Sequence, residues 1–267
     1  MNTVPVASPH TPRWPSLVTR LGLWLLAAGV LLVAVSGPLY RLGIANLGLA
    51  LLLLPVGFVV TVIGTVLAII GVLGGTAKHA SIPGTAAAIG IVVGLALIAY
   101  MLHWVSRARS TPPIHDVSTD LADPPAFVAV LPLRASAHAV NSSQYIRQVH
   151  AGGGRIIDVP ALQRQYFPDL RSLQLPLSPA QALEKARRVA GEMQWQIDAY
   201  DPAAGRLEAT AQTAFFGFKD DVVVRVRPGA SGSGSLVDIR SDSRVGFGDV
   251  GTNAMRIRSF LKRMAEH

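Results

Sequence analysis

The pattern of apolar and polar positions divides the chain in two. Three apolar runs fill the first hundred residues: Leu21 to Tyr40, Leu47 to Leu73 and Thr85 to Val105. Each meets the roughly 20 apolar residues that a helical bilayer crossing needs. The second is longer than that minimum, so it can tilt, and Pro55 interrupts it. The third closes with Tyr100, His103 and Trp104, residue types that favour a membrane interface. None of the runs carries a charge in its interior, which argues for an anchor and against an ion or proton path. A cleaved leader ending at Ala34-Val35-Ser36 is the alternative for the first run.

Further along, the period shortens. Ser178-Pro179-Ala180-Gln181 has the form of a helix start, with Ser as N-cap and Gln three residues on. Ala182, Ala186, Val189 and Met193 then share one helical face. Four alternating segments follow, at 194–200, 205–213, 220–228 and 236–245. Their inward sets are Trp195, Ile197, Ala199; Leu207, Ala209, Ala211, Thr213; Val222, Val224, Val226; and Val237, Ile239, Ser241, Ser243, Val245. Short connections make neighbours antiparallel. A last helix from about Asp249 aligns Val250, Ala254, Ile257, Leu261 and Met264, and a further strand is expected at Arg171 to Leu175.

The expected fold class is therefore α+β: an antiparallel meander with two helices on one face, attached to an N-terminal three-helix transmembrane region. The expected layout is a polar tail (1–16), a membrane anchor (17–105), a proline-rich connector (106–165) and the α+β domain (166–267). In the connector, residues 141–150 predict a short helix stopped by Gly152-Gly153-Gly154. His115 beside Asp116 and Asp120 reads as a juxtamembrane tether in preference to a metal or acid–base cluster. Asn141-Ser142-Ser143 has the form of a glycosylation sequon.

Charge sharpens the division. The chain has 24 Lys and Arg against 16 Asp and Glu, and every acid lies after Arg109. Mean hydropathy is +0.40. The excess of positive charge is dispersed, without a basic stripe bearing exposed aromatics, so nucleic acid is not an expected partner. The absence of cysteine excludes disulfides and thiol chemistry. Lys and Arg flanking the runs tie in number on the two sides; the reading adopted puts the N-terminus in the cytoplasm and the C-terminal domain outside.

The second face of the strands carries charge of both signs: Asp198; Arg206 and Glu208; Asp221, Arg225 and Arg227; Asp238, Arg240, Asp242 and Arg244. Loop lengths place Glu208 near Arg225 and Asp198 near Arg206. Such a face is expected to be solvated and self-neutralised, the alternative being a polar floor for a ligand or partner.

Short motifs in order resemble the family of domain of unknown function 1499. They are Glu208-Ala209-Thr210 with Thr213, Gly217-Phe218 with Asp220-Asp221, Asp238 with Arg240-Ser241 and Ser243-Arg244, then Gly246, Asp249, Gly251, Asn253-Ala254 and Arg256-Ile257. Phe167-Pro168-Asp169 looks like the family's opening motif, with Phe where Tyr is expected, and His115-Asp116, Thr119-Asp120 and Pro124-Pro125 look like a second motif of its longer members. The resemblance implies a bacterial envelope or membrane setting and brings no catalytic residues; with the orientation adopted above, the expected location is the bacterial inner membrane with the C-terminal domain periplasmic.

The candidate ligand or partner surface is Glu208, Asp220, Asp221, Arg225, Arg240, Arg244, Asp249 and Asn253. Phe215, Phe216, Phe218 and Phe247 form either a core plug or an exposed tip for lipid or a partner. Asp249 is the expected N-cap of the last helix. Gly246-x-Gly248-x-x-Gly251 is rejected as a dinucleotide fingerprint, because no strand and ribose-binding acid follow it. No catalytic residue, metal ligand or cofactor is assigned. The function expected is binding of a ligand, lipid or protein by a membrane-anchored domain without catalysis. A hydrolase built on Asp220, Asp221, Asp249 and Arg244, and a scaffold subunit docking through the charged face, are the alternatives. Partners are the bilayer and either a membrane protein or a small ligand.

Overall fold

A computed structural model describes residues 12–77, 80–151, 155–229 and 232–266. The glycine stop at 152–154, Lys78, His267 and most of the polar tail lie outside the described residues. Two compact units are present, Met1–Ser106 and Arg107–His267.

The first unit is built on three helices, α1 (Trp14–Arg41), α2 (Leu47–Ala77) and α3 (Gly84–Ser110). All three are long and apolar enough to cross a membrane. They extend beyond the expected runs, because flanking Pro15, Arg20 and Arg107 are accommodated within helical turns. Between α1 and α2 the contact is backbone to backbone. Gly22, Leu26, Gly29 and Val33 on α1 face Gly57, Thr61, Gly64 and Ala68 on α2, a spacing alternating between three and four. A Cβ placed on Gly22 would come within 2.4 Å of the Ala68 nitrogen, and one on Gly64 within 2.4 Å of the Leu26 nitrogen. Lipid supplies no hydrophobic drive between helices, so close packing of small residues is what holds such a pair.

The second unit carries strands β1 (Asp116–Ser118), β2 (Gln148–Ala151), β3 (Arg155–Asp158), β4 (Leu173–Leu175), β5 (Gln196–Asp201), β6 (Arg206–Gln212), β7 (Lys219–Pro228) and β8 (Ser235–Ser243). Its helices are α4 (Leu131–Ser136), α5 (Val159–Tyr166), α6 (Pro179–Glu192) and α7 (Thr252–Ala265). The main sheet runs β1-β8-β7-β6-β5 and is antiparallel throughout; β4 pairs with β8 beyond the end of β1. β2 and β3 form a separate hairpin. The α+β class, the meander and the two helices on one face are all as the pattern predicted.

Parity on β8 decides the rest. Ile239 lies opposite Val224 and joins the core, whereas Arg240 lies opposite Val223 on the other face. Leu207, Ala209, Val222 and Val237 meet Leu183, Val189, Ile257, Phe260 and Met264 from α6 and α7 in a continuous apolar cluster. The Trp195 ring stacks on Phe260 with centroids 5.4 Å apart. Ser178 caps α6 through a reciprocal capping box with Gln181.

Several expectations are corrected. The proline-rich stretch from residue 106 does not run free. Asp116–Ser118 adds a strand to β8, and Pro132 sits in the first turn of α4, a position that needs no backbone donor. The helix expected at 141–150 is absent; Gln148–Ala151 is strand β2, so apolar Val149 serves a hairpin rather than a helix face. β5 has a bulge between Ile197 and Ala199. That extra residue turns Tyr200 toward the core in place of Ala199, and it pairs Asp201, rather than Asp198, with Arg206. α7 starts at Thr252 and not at Asp249, because Val250 and Gly251 adopt positive φ of 53° and 75°.

Candidate functional site

The charged face is not open to water. The chain between Thr119 and Arg147, which includes α4, lies across it as a lid. Phe127 and Val130 from the lid pack on Val223, an apolar residue among the strand charges. Glu208, Asp221, Asp238 and Asp242 are fully buried beneath, and Arg240 and Arg244 nearly so. The expected solvated face is thus largely covered, with Arg206, Arg225 and Arg227 part-exposed at the edge of the lid.

Each buried charge is paired, as burial in a low-dielectric interior requires. Asp221 accepts from Arg134 Nη1 at 2.7 Å and from Arg244 Nε and Nη2 at 3.0 and 2.7 Å. Arg240 donates to both oxygens of Asp116 at 2.8 Å, with its guanidinium 4.7 Å from the Phe127 ring centroid. Glu208 does not meet Arg225. Its carboxylate takes the backbone N–H groups of Val128 and Val130 at 3.0 Å and Arg206 Nε at 3.1 Å. Arg225 and Arg227 instead share Asp238 on the sheet and Asp120 on the lid. Asp242 sits between His115 Nδ1 at 2.9 Å and Arg134 Nη2 at 2.9 Å, the latter an ion pair without hydrogen-bond alignment.

A second polar network lies on the helix side. Asp220 pairs with Arg256 at 2.5 Å, and Arg256 also donates to Ser241 at 2.9 Å. Asn253 Nδ2 donates to the His115 carbonyl at 2.8 Å and to Ser243 at 2.9 Å. Asp249 accepts from the backbone N–H of Gly251 and Asn253, so it still satisfies the start of α7 from three residues upstream. Asp220 and Asp221 therefore point to opposite faces. The four groups required for a hydrolase do not converge, and among the described residues no cluster of three or more His, Asp or Glu is placed to hold a metal ion.

An open cleft lies where β5 begins and β6 ends. This cleft of about 600 Å³ runs between Met193–Gln196, Thr210–Gln212, Lys219 and the α7 residues Thr252, Met255, Arg256 and Ser259. It shares Gln196, Thr210 and Lys219 with a hollow of about 260 Å³ under α4 that reaches Arg244. Lys219 is exposed and has no carboxylate within ion-pair distance among the described residues.

Comparison with known families assigns this unit. The model of a family described as Protein of unknown function (DUF1499) matches residues 116–264. The chain belongs to the DUF1499 family. No curated protein and no solved structure matches it. The DUF1499 match begins at Asp116, the first residue of β1, so lid and sheet fall inside one family unit.

Burial sets the titration of this DUF1499 domain. It raises Asp116 to about 6 against the opposing pull of Arg240. For His115, burial lowers the affinity for a proton, but the Asp242 hydrogen bond and nearby carboxylates outweigh it and leave the pKa raised. Burial also raises Asp249.

Of the residues singled out from sequence, Asp221, Arg240, Arg244 and Glu208 meet the lid, Arg225 meets it at its edge, and Asp220, Asp249 and Asn253 lie on the helix side. Phe216 and Phe218 stack at 4.9 Å with Phe215 edge-on to Phe216, while Phe247 is 96% exposed. Sequence reasoning missed Arg134 and Lys219. Arg134 carries no strand-parity signal, since it comes from a helix in the proline-rich segment. Lys219 opens β7 and was masked by the Asp220-Asp221 pair beside it.

Proposed function

We propose that the protein is a membrane-anchored binding domain of the bacterial cell envelope, its soluble unit periplasmic, taking a small polar anion in the Lys219 cleft without chemical turnover. One observation carries this reading. The buried carboxylates and guanidiniums are engaged with one another, whereas Lys219, exposed and without a carboxylate partner among the described residues, offers a cation at a cleft of ligand size. The walls suit such a guest: Gln194, Gln196, Gln212 and Ser259 offer polar groups, and Met193 and Met255 offer apolar contact.

The test is calorimetric titration of the full chain in nanodiscs with inorganic phosphate, glycerol 3-phosphate and acetate as probes. Saturable binding of at least one is expected, weakened about tenfold or more, equivalent to roughly 1.4 kcal/mol, by Lys219→Glu. Wild-type protein that binds none of them, or that binds equally well with Lys219→Glu, would contradict the assignment. Turnover of a generic ester or phosphate substrate would remove the non-catalytic part.

A further inference from the structure

The Phe247 ring is presented to the outside by a turn that is held firmly. Gly246 takes φ of +99°, a conformation that costs a glycine little. Asn141 Nδ2 donates to the Gly246 carbonyl at 2.9 Å, and the Asp249 N–H donates to the Ile114 carbonyl at 3.3 Å. Exposure at 96% is therefore the built position of this ring and not the fraying of a loop. Ile146 and Val149, exposed by 47% and 42%, border the same hollow as Phe247, and together they form an apolar patch. Asp249, the carboxylate nearest in sequence, is turned inward onto the α7 amides.

The covering partner follows from where this turn sits along the chain. Arg107, near the end of α3, donates through Nε to the Val250 carbonyl at 3.0 Å. Pro113, three residues after the last residue of α3, backs Gly248 so closely that a Cβ there would lie 3.3 Å from its Cα. Three residues reach at most about 10 Å. The patch is thus tied to the point at which the chain leaves a helix of membrane-spanning length and hydropathy. Apolar rings flanked by backbone polar groups partition into the boundary between head groups and acyl chains.

We propose that the Phe247 turn, with Ile146 and Val149, inserts into the surface of the bilayer that carries the three helices, and so fixes how the soluble unit stands on it. This is independent of the Lys219 cleft. The chain has no cysteine, so single spin labels can be placed uniquely. Labels at Phe247→Cys and Ile146→Cys are compared with Arg188→Cys, on the exposed side of α6, in proteoliposomes of phosphatidylethanolamine and phosphatidylglycerol. At 247 and 146, relaxation by oxygen should exceed relaxation by a water-soluble nickel chelate several-fold, with the order reversed at 188. Chelate access at 247 equal to that at 188 would overturn the proposal. Shielding of 247 from both reagents would also overturn it, since a protein partner or second copy would then be the cover.

Discussion

The two faces of the DUF1499 sheet are buried to a similar degree by opposite means. On one face, Leu207, Val222, Val224, Val237 and Ile239 meet α6 and α7 through dispersion and exclusion of water. On the other, Asp221 and Asp242 pair with Arg134 of the lid, Arg225 and Arg227 with Asp120, and Arg240 donates to the lid carbonyls of Pro125 and Ser143, while Asp238 and Arg244 are paired within the sheet. The apolar face is forgiving, because neighbouring side chains relax around a lost methyl. The charged face is not, because each ion pair only offsets a desolvation cost, and losing one partner exposes that cost in full. Burial of charge here specifies which lid segment closes over which strand; it adds little net stability.

The contrast should break most sharply at Asp221. Asp221→Ala leaves Arg244 buried without its carboxylate and Arg134 with Asp242 alone, and should cost about 3–5 kcal/mol in thermal or denaturant unfolding of the second unit. Removing one methylene across the sheet, by Ile239→Val, should cost only about 0.5–1.5 kcal/mol. Comparable losses at the two positions would mean that the charged face is hydrated.

The Asp116–Arg240 pair sharpens the same point. Arg240→Met alone strands a buried carboxylate and should be severely destabilising. Combining it with Asp116→Leu should recover most of the loss, since apolar residues of similar volume can replace a buried pair at little cost. A double variant as unstable as the single one would show that the pair contributes more than mutual compensation.

The smallest effect is on pH. His115 has a raised folded pKa, so its contribution is fully present below its unfolded value and is lost as pH rises through the folded one. Asp116, raised to about 6, binds its proton more tightly when folded, so its contribution also falls as pH rises from about 3.8 to 6. Asp120 and Asp169 act oppositely. Backbone N–H donors lower Asp120 despite its burial, and Arg258 lowers Asp169, so their stabilisation is lost on acidification. Melting temperature should therefore peak on the acid side of neutrality and decline toward pH 8. Replacing His115 by Asn should flatten that decline.

Much of this fold was legible in the residues. Alternation at Val237, Ile239 and Arg240 fixed both faces of β8, and Ser178-Pro179-x-Gln181 fixed the start of α6. The spacing of Gly22, Gly29, Gly57, Gly64 and Ala68 could have signalled the tight α1–α2 seam, but hydropathy alone ignores residue size. The lid was not legible. Strand parity tells which way Asp221 or Arg240 points and nothing about what covers it. The covering segment meets the strands across 87 residues at Arg134–Asp221 and 115 at Pro125–Arg240, in a stretch whose prolines suggested a free linker. The β5 bulge escaped for a related reason: one inserted residue moves Tyr200 and Asp201 without changing composition. The Lys219 cleft depends on where β5 begins, a boundary that periodicity sets only loosely.

The central claim is that the segment bearing Phe127 and Val130 is closed over the charged face in the resting protein. Amide hydrogen exchange of the full chain in nanodiscs reads this directly, because the N–H groups of Val128 and Val130 are bound to the buried carboxylate of Glu208. The account predicts protection at both positions comparable to that of the β7–β8 ladder. Exchange there at the rate of an unstructured peptide, with the ladder still protected, would contradict it.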